Sequence, residues 1–178
     1  VEEKVAEIPP FQIGGFPVQI DLAGVTELPG GARVRHQAVY VQQQGIVYVI
    51  GGFTDRAQTS ALDRIEIYRE GERRFNPGEV LFLGTARGDH TALLMDYNTI
   101  FIAGGRNGAE YLESSEVIVE EILCDDNKNC YYSPSVKSDT SVVPLMPSRR
   151  AGHTAVFDAT RRVMMVGGAS SPGNPVLS

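Results

Sequence analysis

The chain holds three histidines, His36, His90 and His153, and each stands in the same local frame. An arginine lies three residues before each (Arg33, Arg87, Arg150), and an alanine lies two residues after (Ala38, Ala92, Ala155). Imidazole can ligate a metal or move a proton near neutral pH, and guanidinium holds carboxylates and carbonyls. Three converging histidines would therefore make a ligand set or an acid–base centre. A residue that recurs in every copy of a frame, however, serves the copy. Each histidine is expected to bond backbone groups of its own unit, and each arginine the carbonyls or a carboxylate of the next. Neither a metal nor a cofactor is expected.

The frame runs on to a glycine pair 14 or 15 residues after each histidine: Gly51 and Gly52, Gly104 and Gly105, Gly167 and Gly168. Such pairs let a strand end turn with positive φ and let a neighbouring backbone come close. The histidines are 54 and 63 residues apart, a period that indicates one supersecondary unit per repeat. Within each unit, two short runs rich in Val, Ile, Tyr and Phe flank a polar turn, and these read as hairpin strands. They are Gln37–Val41 with Ile46–Ile50, 91–95 with Thr99–Ala103, and Thr154–Phe157 with 162–166. A third, alternating strand follows at 62–68 and 115–119, with Ile65 and Ile67 on a buried face and Arg64 and Glu66 on a wet one. A fourth is expected at 80–83 and 142–146. The longer second repeat is read as carrying a cysteine-bearing insertion, 124–138, between its third and fourth strands.

This arrangement of His, hairpin, double glycine and alternating third strand resembles the kelch repeat over residues 18–173. The resemblance implies an all-β fold, a partial kelch-type β-propeller of four-stranded antiparallel blades, about two full and two half blades. The departures are few: the aromatic of strand three is kept as Tyr68 but is Val119 in the second copy, and the chain has no tryptophan, with Phe75 as a substitute. The divisions expected are an N-terminal extension at 1–17 and the outer strands of a partial blade at 18–32. A blade follows at 33–86, a blade with the cysteine insertion at 87–149, and the inner strands of a truncated blade at 150–178. Three blades closing a ring would each turn about 120°, outside the range of roughly four to eight blades. Open strand edges are therefore expected, completed by a longer parent chain or a partner subunit.

Function in repeat folds resides in loops that break the repeat. The loops after the glycine pairs and those leading into the histidines share one end of such a fold. Their polar residues Asp55, Arg56, Arg87, Asp89, Arg106, Asn107 and Arg149 are the candidates for contact with a partner. Kelch-like propellers include a copper radical oxidase and sugar-acid epimerases, but the oxidase type needs a Cys–Tyr cross-link and here both cysteines lie in an outer segment. No G-x-S-x-G, H-E-x-x-H or phosphate-binding loop is present. The expected function is a non-catalytic protein-interaction or scaffold module. A carbohydrate-active extracellular enzyme or glycan-binding propeller is the alternative.

The net charge of −6 and the lack of any Lys/Arg cluster longer than two argue against nucleic acid as a partner. No apolar run approaches the ~20 residues that span a bilayer. The chain begins at Val1, from which we expect a processed or cut N-terminus whose targeting segment is gone.

The two cysteines, Cys124 and Cys130, bracket the polar, turn-forming stretch Asp-Asp-Asn-Lys-Asn. A surface disulfide is expected, and with it a secreted, periplasmic or cell-surface location. Two free thiols, a zinc half-site without a second Cys/His pair, and a calcium loop lacking the glycine and distal glutamate of an EF-hand are the competing readings. Alkylation without reductant should leave the mass unchanged, and alkylation after reduction should add two groups. Two alkylated cysteines without reductant would remove the case for an oxidising compartment.

Overall fold

β-Branched and aromatic runs, broken by Asn, Asp and Gly turns, fold into strands here. The computed structural model describes residues 11–13, 16–18, 28–139, 143–158, 160 and 162–173, and among these there is no helix. No helix long and apolar enough to cross a membrane is present among them. Strand β1 (Phe11–Ile13) pairs with β2 (Phe16–Val18). A four-stranded antiparallel sheet then runs in chain order through β3 (Gln37–Val41), β4 (Ile46–Ile50), β5 (Arg64–Arg69) and β6 (Arg74–Phe82). The second unit begins with β7 (Thr91–Leu94) and β8 (Thr99–Ala103), followed by a small hairpin of β9 (Arg106–Asn107) and β10 (Glu110–Tyr111). Strands β11 (Ser115–Cys124) and β12 (Cys130–Lys137) complete its sheet in the order β7-β8-β11-β12. The third unit is the hairpin of β13 (Thr154–Phe157) and β14 (Val163–Val166). The described strands do not close into a ring.

Each inner hairpin turns by its own chemistry. Between β3 and β4, Gly45 takes φ 62°. Between β7 and β8, Asp96 accepts from the Asn98 N–H at 3.0 Å. Between β13 and β14, Asp158 accepts from the N–H groups of Thr160 (2.8 Å) and Arg162 (2.9 Å). An Asx turn of this kind supplies the hydrogen bonds that the reversing backbone leaves unmade.

The units stack face to face, with β7 packed between β3 and β13. Val39, Tyr48, Ile50, Ile65 and Ile67 of the first sheet pack with Ile100, Ile102 and Ile118 of the second. Phe101, Ala103 and Val117 on the other face of the second sheet pack with Val163 and Met165 of the third unit. Burial on both faces explains the nearly continuous apolar character of the inner strands.

Three expectations are corrected. The fourth strand of the second sheet is Cys130–Lys137 itself, paired with β11 out to Cys124 opposite Cys130, so the cysteines staple an elongated outer hairpin instead of interrupting the sheet. Position 142 lies outside the described residues, and 143–146 form no strand; Val143 and Met146 plug the core below. Glu66 does not face water: β5 is covered on both sides, and Glu66 is buried. Of the outer strands expected within 18–32, residues 19–27 lie outside the described residues, while Val18 ends β2.

The glycine pairs join the units. Gly52 donates its N–H to the Arg87 carbonyl at 2.9 Å, and Gly105 to that of Arg150 at 2.8 Å. Gly104, at φ 63°, has room for no side chain, because a Cβ there would lie 2.6 Å from the Arg150 carbonyl oxygen. Gly104→Ala combines a left-handed backbone with a clash and should cost about 2–4 kcal/mol. Gly71→Ala, with nothing within 4 Å of its Cβ, should stay within about 0.5 kcal/mol. Urea denaturation of the two variants checks the difference; equal stability would remove the close-approach explanation.

Candidate functional site

The repeat arginines point into their own sheets. Arg33 Nη2 lies 2.5 Å from Glu66 Oε2, with both side chains buried. Glu66 also accepts from the Gly30 N–H and from Arg64 Nε at 3.2 Å. The second unit repeats the arrangement: Arg87 Nη2 is 2.6 Å from Glu116 Oε1, which accepts from the Thr85 N–H at 3.2 Å while its other oxygen accepts from the Gly84 N–H at 2.6 Å. Arg87 further donates to the carbonyls of Gly104 (2.8 Å) and Ser114 (3.0 Å). Arg33 reaches Gly51 O at 3.3 Å, and Arg150 reaches Gly167 O at 3.3 Å. These contacts lie within one unit rather than across to the next, contrary to the sequence expectation. Burial pushes the Arg33 and Arg87 guanidinium pKa values down, and the paired glutamates oppose it.

The histidines behave differently from the expectation that they bond backbone. His90 and His153 are buried, and neither ring nitrogen of either finds a hydrogen-bond partner among the described residues. Their Cε1 atoms sit against the first glycine of the preceding pair, His90 on Gly51 and His153 on Gly104. Burial, aided by the neighbouring arginine, lowers the pKa of His90 to about 3 and that of His153 to about 4. Both are neutral plates packed between units. His36 is exposed. Among the described residues, no three His, Cys, Asp or Glu side chains are grouped to hold a metal ion.

The loop candidates divide. Arg87 is fully buried in its ion pair and belongs with the frame. Asp55 closes its own loop, accepting from the N–H groups of Ser60 (2.8 Å) and Thr59 (3.2 Å), which hold its carboxyl below the usual range. Arg106 and Asp89 are brought together: Arg106 Nε donates to Asp89 Oδ2 at 2.9 Å, and the guanidinium lies 4.9 Å above the Phe53 ring. Asp89 also faces Arg35 at 3.7 Å. Arg56 and Asn107 are exposed, as is Arg149, whose contact with Glu113 at 3.8 Å is a surface pair. A cleft of about 360 Å³ opens between the second sheet and β14, lined by Phe101, Val117, Val143 and Met165 among others, and no charged side chain lines it.

Sequence reasoning missed Glu66 and Glu116 as partners of the frame. The signal was present twice: a glutamate in strand three and a glycine three residues before the arginine (Gly30, Gly84) recur in both full units. It also missed Glu120, buried beneath the first sheet, where Tyr48 donates its hydroxyl to it. Burial raises the pKa of both groups. Cys124 and Cys130 form a disulfide. Compared with known proteins, the chain matches no family model and no curated protein significantly.

Two outcomes follow from the buried frame. Glu116→Ala leaves the Arg87 charge buried without its partner and should cost about 3–5 kcal/mol. The histidines set a pH dependence. An unfolded imidazole takes up a proton near its ordinary 6.5, whereas folded His153 resists down to about 4 and His90 to about 3. The unfolded state thus binds more protons in this window, and stability should fall as pH drops from about 6.5 toward 4. Urea midpoints across that range should decline more steeply for wild type than for His90→Gln; parallel curves would count against burial of a neutral imidazole.

Proposed function

We propose that the chain is part of a kelch-type β-propeller serving as a non-catalytic protein-binding or scaffold module of a secreted, periplasmic or cell-surface protein. One observation carries this reading: the frame residues are engaged in holding units together, while residues that break the frame stand on the surface. Arg33 and Arg87 are locked to Glu66 and Glu116, and His90 and His153 are packed on glycines. None of these is free to do chemistry on a substrate. The exposed Arg56 and Arg149 on loops, and Asn107 in the small β9–β10 hairpin, are carried by stiff sheets, an arrangement suited to recognition. The Cys124–Cys130 disulfide supports an oxidising compartment.

Substituting Arg56, Asn107 and Arg149 together by Ala should weaken capture of a protein partner at least tenfold and leave the melting temperature within a few degrees of wild type. Glycan-array binding followed by turnover assays on the hits is the counter-test. Product formation would replace this reading with that of a carbohydrate-active enzyme.

A further inference from the structure

Among the described residues three carboxylates are buried, Glu66, Glu116 and Glu120. The first two each meet a guanidinium, that of Arg33 and that of Arg87. Glu120 has no such partner among the described residues. It lies on the face of β11 that also carries Ile118, which packs against the first sheet, and it is 4% exposed. Tyr48 of β4 donates its hydroxyl to Glu120 Oε1. The side chain of Gln44, in the turn between β3 and β4, bonds the same carboxyl. Two buried oxygens are left over: neither Glu120 Oε2 nor Gln44 Oε1 has a hydrogen-bond partner among the described residues.

The charged groups around Glu120 do not neutralise it. Arg69 of β5 acts on it, but the Arg69 Nε is taken by Glu79 of β6 at 2.7 Å. Arg69, Glu79 and the Tyr48 phenol are the groups on the first sheet that act on this pair. Within its own sheet, Pro134 of β12 stands opposite Glu120, and the Asn98 side chain donates to the Glu120 backbone carbonyl at 3.3 Å. An ionised carboxylate here would be a buried charge with one oxygen lacking any donor, and such a group takes up a proton instead. One hydrogen on Oε2 removes the charge and supplies a donor next to the side chain of Gln44, whose oxygen has none. Burial raises the Glu120 pKa, against the bonds from Tyr48 and Gln44 and the charge of Arg69.

We propose that Glu120 is held as the neutral acid and latches the second sheet to the first through Tyr48 and Gln44, a latch that loosens when the proton leaves. The glycine joint, where Gly52 meets the Arg87 carbonyl, fixes the two units near the start of β11. Glu120 closes them farther along that strand, so its proton sets how firmly the sheets hold there. The latch stands independently of the propeller reading, since every group in it belongs to the two four-stranded sheets and their turns. The sign of the effect follows from the direction of the shift. Above the ordinary glutamate value of 4.5 the unfolded chain releases this proton while the folded chain keeps it. The stability that the latch contributes is therefore fully present below that value and is lost as pH rises through the folded one. His90 and His153 act in the opposite direction, and a Glu120→Gln variant retains both.

Carbon-13 NMR of the side-chain carboxyl groups, in the whole chain labelled at glutamate, tests the protonation directly. The signal missing from Glu120→Gln identifies Glu120, and through-bond assignment of the wild type identifies it without the variant. Its titration midpoint should lie above the ordinary 4.5. The latch itself is read from urea midpoints of wild type and Glu120→Gln. Glutamine imitates the neutral acid, with an oxygen for Tyr48 and an N–H for Gln44. The two midpoints should agree near pH ~4.5, and the variant should gain progressively on wild type toward pH ~8. A Glu120 signal that titrates at or below 4.5 overturns the proposal, because the carboxylate is then ionised in place. A difference between the two proteins that stays constant with pH, whatever its sign, overturns it as well, because the proton then has no hold on the fold.

Discussion

Where the Gly105 N–H meets the Arg150 carbonyl at 2.8 Å, two backbones from different units touch with no side chain between them. Everything conspicuous in the repeat follows from this approach. The first glycine of the pair must lack a Cβ, because the neighbour's arginine carbonyl and histidine ring occupy that space. The carbonyl must also be held in place, which requires an anchored arginine. For Arg33 and Arg87 the anchor is a glutamate in strand three of the same unit, while Arg150 is held by the Gly167 carbonyl and the Ser148 hydroxyl. The histidine two strands away covers the glycine from the other side. A frame of Arg, His and Gly that looks like chemistry is thus one mechanical joint.

The joint is built from charges that water does not reach. Burying Arg87 and Glu116 carries a desolvation cost of several kcal/mol per ion, and their mutual attraction roughly offsets it only because other bonds fill the remaining positions. Glu116 takes three backbone or guanidinium donors, and Arg87 reaches the carbonyls of Thr85, Gly104 and Ser114 and the Ser114 hydroxyl. A planar guanidinium can bridge a carboxylate and a carbonyl together, which a lysine ammonium cannot do in one geometry. The gain is register: the loop before each unit is tied to strand three, so the unit enters its hairpin at one defined place.

Away from the joint, the carboxylates act locally. Asp55, Asp125 and Asp158 each close a turn by accepting backbone N–H groups; those bonds hold the Asp55 carboxyl below its ordinary pKa, while the side chains of Asn129 and Thr160, with the backbone N–H groups, do so for Asp125 and Asp158. The outer hairpin β11–β12 projects Ile122, Leu123, Tyr131 and Tyr132 into solvent and is stapled at its tip by the disulfide. A hairpin exposing that much apolar surface loses little by ordering when its end is already cross-linked. Rigid joints and self-closed turns leave loop-end side chains such as Arg56 and Asn107 exposed.

The sequence alone determined the unit. The R-x-x-H-x-A frame, the glycine pairs and the paired apolar runs located β3, β4, β7, β8, β13 and β14 to within a residue or so, because strand and turn preferences are local and were stated three times over. The polar turn between the cysteines was equally legible as a hairpin end. What lay across each strand was not. An alternating Glu66 reads the same whether it meets water or a guanidinium, and only the loop folding back from Gly30 to Arg33 decides that it is buried. Likewise, β12 is a strand because β11 runs on far enough to pair with it, while 143–146, equally apolar, turns inward as a plug. Local pattern reports what a backbone prefers; burial and ion pairing depend on which surface another part of the chain brings against it.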